Sequence, residues 1–533
     1  MTQIRCKIKD YIQPFERILA VQELAIIADA EPIKNPNNSE FTVVTNTRIS
    51  SLAERLAYWE TVTSKSSSFT TVQSLREATV NVVRNGIDLD FLKSSLPFTD
   101  QIPLPNRRCL RYGTHGIHEY RGKFFPQLVR SLVNISGTQT GGIVADPMSG
   151  SGTTIVEANL LGCTGLGIDM NPLSVFIGNT KCELLCADPK KLKSEYLNVR
   201  DSVLESEDRS QSQFIYLSTL PPEDQDYLKN WFGHEVLLGL DEIAQIIETV
   251  RYKPAKNLMW VALSNILRSV SWQKDDDLRV RKEVRLDVEV DPKKEFLEEL
   301  ARSIRAILAF LYQNGSKKQI EHTIKNGDAR ECAGLWEKQK GKVDVVVTSP
   351  PYATALPYLD TDRLSLSYLG LLPRPKHRYR DHLMIGNREV TEKLRSDYLH
   401  RLKENSIELP NSVHKLVRKI ENLNRDTGVG FRRRNLPALL AKYFFDMRDV
   451  LSGVFTVLKP GGKAFFVVGN NHTIAGGQRV DICTADLITD IAAMLNFKIN
   501  DSISMEMLIS RDIFKNNTSA SERILEYQKP VYK

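Results

Sequence analysis

No stretch of this chain approaches the roughly 20 consecutive apolar residues that a bilayer-spanning helix needs. Its opening segment, MTQIRCKIKDYIQPFERILA, holds no apolar run of signal-peptide type. Both absences argue for a cytoplasmic protein with no membrane partner. Cysteine is scarce: Cys6, Cys109, Cys163, Cys182, Cys186, Cys332 and Cys483 are odd in number and scattered. They read as reduced thiols rather than a disulfide framework. Cys182 and Cys186 form a C-x3-C pair, but His234 and His322 are distant in sequence, so no metal site is expected. There is no internal repeat. What is present is ordinary globular composition, 41% hydrophobic and 26% charged over 533 residues. That excludes a disordered chain and allows a large core with insertions.

The net charge of +7 matters less than its distribution. Residues 361–436 hold 17 Lys+Arg against 9 Asp+Glu, and the rest of the chain is close to neutral. A basic block on a neutral body marks a segment that meets a polyanion, or else a solvated helical surface.

The chain divides by texture into an N-terminal region over 1–105 and five further segments, 106–180, 181–318, 319–360, 361–436 and 437–533. Helical spacing appears near 15–30, 51–62 and 74–95, and Pro103 and Pro105 mark a linker. From Gly141 the pattern becomes strand, glycine-rich turn, helix, strand: GGIVADP, then TTIVEANLLG, then CTGLGIDMNP. This is the start of a doubly wound α/β sheet. Residues 181–318 are mainly helical. Sheet texture resumes at HTIKNGDARE and KVDVVVTSPPY, is interrupted again by the basic block, and returns with a helix at 438–458 and the strand KAFFVVGNN. A helix over 483–497 and late strands over 498–510 and 521–531 complete the reading.

Four constellations carry chemistry. Asp146-Pro147-Met148-Ser149-Gly150-Ser151-Gly152-Thr153-Thr154 follows a strand. Glycines there let backbone approach a ligand, and the helix start offers free N–H groups. It is not a P-loop, because Thr153 stands where the lysine belongs, and it is not G-x-G-x-x-G. A plain structural turn stays open. Asp169 ends the next strand, where a carboxylate accepts from ribose hydroxyls or caps the following helix. Asp328 ends a later strand, where it can accept from an adenine amino group. An adenosyl cofactor without phosphates fits this set better than a nucleoside triphosphate. The fourth is Thr348-Ser349-Pro350-Pro351-Tyr352 after an apolar strand. Proline lacks an N–H, so this turn presents carbonyls and a hydroxyl, which suits an amino group as partner. Tyr352 can stack on a planar ring or pack in the protein.

Together these residues resemble the DNA amino-methyltransferases dependent on S-adenosyl-L-methionine. Ser349-Pro350-Pro351-Tyr352 matches the family's (Ser/Asn/Asp)-Pro-Pro-aromatic motif in the TSPPY form typical of N4-cytosine enzymes. Asp146 through Thr154 resembles its glycine loop, with Asp146, Met148, Gly150, Gly152, Thr153 and Thr154 implied at the cofactor. Asp169 and Asp328 match its acidic positions for ribose and adenine. His118 through Pro126 resembles the upstream segment that meets the cofactor's methionine end, implying Lys123, Phe124 and Pro126. The resemblance covers about residues 112–180, 320–360 and 437–510, and implies a Rossmann-like methyltransferase sheet with large helical insertions and an extra N-terminal region.

The resemblance implies direct transfer of a methyl group to the exocyclic N4 of cytosine in double-stranded DNA, with Ser349, Pro350, Pro351 and Tyr352 at a flipped base. Ring-carbon methylation would need a cysteine in a Pro-Cys motif, and none of the seven follows a proline. The basic block would hold phosphates through Arg374, Lys376, Arg378, Arg380, Arg432, Arg433 and Arg434. No nuclease signature stands out, so a restriction endonuclease would be a separate partner. N6-adenine in DNA, an amino group in RNA, and a non-catalytic nucleic-acid-binding subunit are the competing readings.

Overall fold

The computed structural model describes residues 1–36, 39–84, 89–93, 104–120, 124–206, 213–274, 281–284, 290–315, 319–353, 359–404, 407–425, 430–506 and 521–531. The N-terminal region contains more strand than its helical spacing suggests. In β1 (Thr2–Ile8), Ile4, Cys6 and Ile8 are buried while Arg5 faces solvent, the period-2 signature of a half-buried strand. With β2 (Ile33–Lys34), β3 (Glu40–Thr45), β4 (Trp59–Thr63) and β5 (Ser68–Thr70) it forms an antiparallel sheet in the order β2-β3-β1-β4-β5. The helix expected over 51–62 therefore ends at Arg55, and the chain turns into β4. The helix near 15–30 is present as Pro14–Ala28, and the one expected over 74–95 as Val72–Arg84 with a short turn at Leu89–Leu92.

The central sheet is built from β6 (Ile143–Asp146), β7 (Thr164–Asp169), β8 (His322–Asn326), β9 (Val343–Thr348) and β10 (Leu458–Gly469), all parallel. A small hairpin of β11 (Asn471–Ala475) and β12 (Gln478–Ile482) follows, then β13 (Lys498–Glu506) and β14 (Ser521–Gln528). The sheet order is β13-β14-β10-β9-β6-β7-β8, with β14 antiparallel to both neighbours. This is the doubly wound, Rossmann-like α/β arrangement expected from the sequence. Both faces are covered, so Val345, Val346 and Val347 of β9 are all fully buried. The order reverses between β6 and β9, where open α/β sheets form a crevice at the carboxyl ends of their strands.

The N-terminal region is not a separate globule. Ile4, Leu19, Leu24 and Trp59 share one apolar cluster with Val345, Val347, Phe465 and Val467 of the central sheet. Buried Glu23 on helix 14–28 accepts from the N–H groups of Ala57 and Tyr58 and from Asn134 Nδ2. The other face of the molecule is helical. Helices at 189–205, 234–249, 253–266 and 292–314 pack with helix 172–184 into a second cluster. Helices at 363–368, 374–383, 392–404 and 411–423, with the first turn of helix 431–457, make up the basic insertion.

Candidate active site

Strand β6 ends at Asp146, and the loop after it turns through Gly150 (φ +48°) and Gly152 (φ +81°). Any Cβ at Gly152 would lie 2.9 Å from Gly178 Cα, so the loop packs directly on the backbone of helix 172–184. Lys181 of that helix, fully buried, donates to the carbonyl and hydroxyl of Ser151 at 3.0 and 2.9 Å and braces the loop from beneath. No sequence motif pointed to Lys181, because its reach depends on how the two helices pack.

Asp146 is buried and accepts from Met148 N at 3.0 Å, Thr154 Oγ1 at 2.7 Å and Thr348 Oγ1 at 2.6 Å. Burial pushes its carboxyl up to about 6, against the pull of these donors, and nearby Asp169 adds to the rise. Asp169 accepts from Gly150 N at 2.9 Å and Asn171 N at 2.8 Å, and desolvation likewise raises it to about 6. Two carboxylates therefore lie at the ends of adjacent strands, β6 and β7, near the start of helix 153–160, and neither has a cationic side chain bound to it among the described residues.

The same helix carries a third buried carboxylate with the opposite surroundings. Glu157 accepts from Arg130 Nη1 at 3.1 Å, His115 Nε2 at 2.9 Å and Tyr112 Oη at 2.6 Å. Burial would raise it, but His115 and Arg130 hold it down at about 2. Arg130 also donates to the carbonyls of Glu54 and Arg55, so this group ties the N-terminal region to the glycine loop's helix.

The bond from Thr348 to Asp146 joins the cofactor-side loop to the Ser-Pro-Pro-Tyr turn, which leaves β9 at the switch point. Ser349 donates its hydroxyl hydrogen to the carbonyl of Val467 at 3.2 Å. Its lone pairs are then available as acceptors. Pro351 and Tyr352 lie against Gly386, where a Cβ would meet Tyr352 O at 2.9 Å and Pro351 Cβ at 3.2 Å. The Tyr352 ring lies against Gly469 of β10, and its hydroxyl donates to Glu522 of β14. Burial lifts the Glu522 carboxyl to about 7.

Other expected site residues divide. Lys123 lies outside the described residues. Phe124 packs in the cluster between the N-terminal region and the sheet, and buried Pro126 opens helix 126–135. From the same upstream segment it is Tyr120 that reaches the glycine loop: a Cβ on Gly150 would sit 3.0 Å from its ring. Asp328 caps a short turn by accepting from Arg330 N, and both its oxygens pair with the Arg330 guanidinium. Arg330 also reaches Asp446 at 2.7 Å and the carbonyl of Leu383.

The seven basic candidates do not form one surface. Arg374 stacks on the ring of Tyr227 at 4.4 Å, and Arg380 donates to the carbonyl of Met170 and to Asn326 Oδ1 beside Asp169. Both are tied down inside the chain. Lys376 and Arg378 are exposed next to Tyr379, and Arg432, Arg433 and Arg434 are exposed next to Phe431. The β11–β12 hairpin, which sequence reasoning missed, links this second group to the Ser-Pro-Pro-Tyr turn. Asn471 at its base donates to the carbonyl of Ala353 at 3.1 Å. At its tip Gly476 N donates to Asn424, which in turn holds the carbonyl of Arg433 at 3.0 Å. The signal was the Gly476-Gly477 pair, whose φ of +54° and +78° makes the tight turn.

Among the described residues no cluster of metal-ligating side chains occurs, and no helix is long and apolar enough to cross a membrane. No disulfide joins any of the seven cysteines. A carboxylate at a strand end beside a glycine loop is suited to accept from ribose hydroxyls such as those of S-adenosyl-L-methionine.

Residues 118–210 match the UPF0020 family model, described as an RMKL-like methyltransferase domain. The chain is 26% identical over 389 residues to the Type II methyltransferase M.MvaI of Kocuria varians, covering 70% of this chain and 80% of that protein. It is 25% identical over 435 residues to the Type II methyltransferase M.BsoBI of Geobacillus stearothermophilus, covering 74% and 81%. Among solved structures, TrmN from Thermus thermophilus aligns over 99% of this chain and 100% of that one, at 10% identity and a TM-score of 0.32.

Proposed function

We propose that this chain, a methyltransferase related to the Type II methyltransferases, transfers a methyl group from S-adenosyl-L-methionine to the exocyclic N4 of cytosine in double-stranded DNA. The observation that carries the reading is the Thr348–Asp146 hydrogen bond. It sets the Ser-Pro-Pro-Tyr turn directly against the cofactor loop, so that a base amino group held by the turn meets the cofactor's reactive end.

The cofactor supplies an electrophilic methyl on a sulfonium. Asp169 accepts from its ribose hydroxyls, and the loop at Gly150 and Gly152 lets backbone approach it. Asp328 contacts its adenine after exchanging part of its pairing with Arg330. Lys123, Phe124 and Pro126 belong to the segment that lines the methionine end, with Tyr120 as its contact to the loop. Ser349 and the Pro350 carbonyl accept the two amino hydrogens, which frees the nitrogen lone pair for in-line attack. Because the Ser349 hydrogen already points at Val467, the hydroxyl acts as an acceptor. Pro351 stiffens the turn, and Tyr352 meets the flipped base.

The exposed cations Lys376, Arg378, Arg432, Arg433 and Arg434 hold backbone phosphates. The last three occupy the first turn of helix 431–457, where the helix dipole disfavours cations unless an anion joins them. Such an enzyme marks DNA as the modification half of a restriction-modification pair, with the nuclease on another chain. Digestion and mass spectrometry of nucleosides, after incubating DNA with the protein and labelled cofactor, tests this beside Ser349→Ala. N4-methylcytosine absent from the control is the expected result. N6-methyladenine would overturn the base assignment, and label in RNA alone would overturn the substrate.

A further inference from the structure

The hydroxyl of Tyr352 has a partner that the catalytic motif does not supply. Glu522 stands in β14 opposite Gly469 of β10, at the end of the sheet from which the Ser-Pro-Pro-Tyr turn projects. Register places Gly469, Glu522 and Met505 side by side across three strands, on the same face of the sheet. Gly469 leaves the room: a Cβ there would lie 2.9 Å from Tyr352 Cζ and 3.0 Å from Cε2, inside the ring's own contact distance. The ring can rest on β10 only because that position is glycine. On the other side, Gly386 of the basic insertion presses on the Tyr352 carbonyl and Pro351. The ring is thus seated on backbone at Gly469, and its hydroxyl is held by the Glu522 side chain.

We infer that Glu522 is a positioning residue for methyl transfer: its carboxyl group holds the Tyr352 hydroxyl and thereby fixes the ring that meets the target base. The inference rests on reading Ser349–Tyr352 as the base-binding turn. Without its hydroxyl anchored, the ring is free to swing about its Cα–Cβ torsion, which carries the phenol end away from Gly469. A base stacked on a swinging ring is held less firmly in line with the methyl donor. The arrangement also gives tyrosine a purpose that phenylalanine would not serve here. Neighbouring Arg523 does not compete, since it points away to Asp486 and Ser502. The burial that raises the Glu522 carboxyl also keeps water from replacing the phenol.

The test is a double-mutant cycle on the full chain, with Tyr352→Phe, Glu522→Leu, both together, and Glu522→Gln as the conservative variant. Single-turnover methylation of unmodified genomic DNA is the first readout, and thermal denaturation without DNA or cofactor is the second. Tyr352→Phe and Glu522→Leu are each expected to slow transfer about tenfold while cofactor and DNA dissociation constants change less than about twofold. The double variant should be as slow as either single one. Glu522→Gln, whose amide oxygen still accepts the hydroxyl, should stay within about threefold of the parent. The melting shifts should be equally non-additive, which reports the contact independently of any reaction. Multiplicative losses in rate, or a Glu522→Gln variant as slow as Glu522→Leu, would overturn the role. Additive melting shifts would overturn the contact itself. A parent protein that labels no DNA nucleoside would remove the functional reading, and the role with it, whatever the melting curves show.

Discussion

Helix 153–160 has carboxylates near both ends, and they live under opposite rules. At its start Asp146 and Asp169 are held only by hydroxyls and backbone N–H groups, and burial raises both to about 6. Near its other end Glu157 is equally buried, yet Arg130, His115 and Tyr112 surround it and it falls to about 2. The protein surrounds Glu157 with cationic side chains and gives the other two only hydroxyl and backbone N–H donors. Cations show the same division. Arg130 is buried and committed to Glu157 and two carbonyls, whereas Arg432, Arg433 and Arg434 stand in solvent.

The sharpest way to break this comparison is to remove Glu157. Glu157→Ala leaves Arg130 buried without its counter-charge, and should cost about 3–5 kcal/mol in urea denaturation. The protein that remains folded should bind S-adenosyl-L-methionine nearly as before. Asp169→Ala should do the reverse. Cofactor affinity measured by calorimetry is expected to fall about 100-fold, the loss of charge-assisted hydrogen bonds worth about 2–3 kcal/mol. Its melting temperature should hold or rise, and a large drop would mean that Asp169 is structural after all.

For the cations, replacing Arg432, Arg433 and Arg434 with alanine should leave stability within about 0.5 kcal/mol. The slope of log affinity for DNA against log salt should shrink by about 2–3 if the three meet phosphates. An unchanged slope would place the DNA elsewhere.

A further effect concerns pH. A carboxyl raised in the folded state favours folding while it is protonated, so that contribution is lost as pH rises from about 4 through 6. For Asp146 this amounts to about 3 kcal/mol. Glu157, being depressed, acts in the other sense: its contribution is present above about 4.5 and disappears as pH falls towards 2. Melting curves across this range should therefore show Asp146→Asn shrinking the decline on the neutral side, to which Asp169 also contributes, and Glu157→Gln shrinking the loss on the acid side.

Much of this was legible in the chain itself. Strand, glycine turn, helix and strand follow one another within a few residues around Asp146 and Asp169, and local periodicity is enough to read them. The N-terminal sheet was less legible, because β1 and β4 are short and adjoin segments with helical spacing. The hairpin after β10 rests on one Gly-Gly pair inside an otherwise continuous strand pattern. The basic block read as one surface because counting charges cannot tell Arg380, turned inward to Met170, from Arg378, turned out.

The sequence by itself determined the order of the sheet-forming segments, the glycine loop, and the Ser-Pro-Pro-Tyr turn, since each depends on neighbours a few positions away. Only the tertiary structure decided that Thr348 closes on Asp146, that Lys181 braces the loop, that Arg330 occupies Asp328, and that Glu522 takes the hydroxyl of Tyr352. These pairs are 30, 170 or 202 residues apart along the chain, save for the local Arg330 turn. Strand order and register bring them together, and no local pattern of residues encodes the meeting of two such distant side chains.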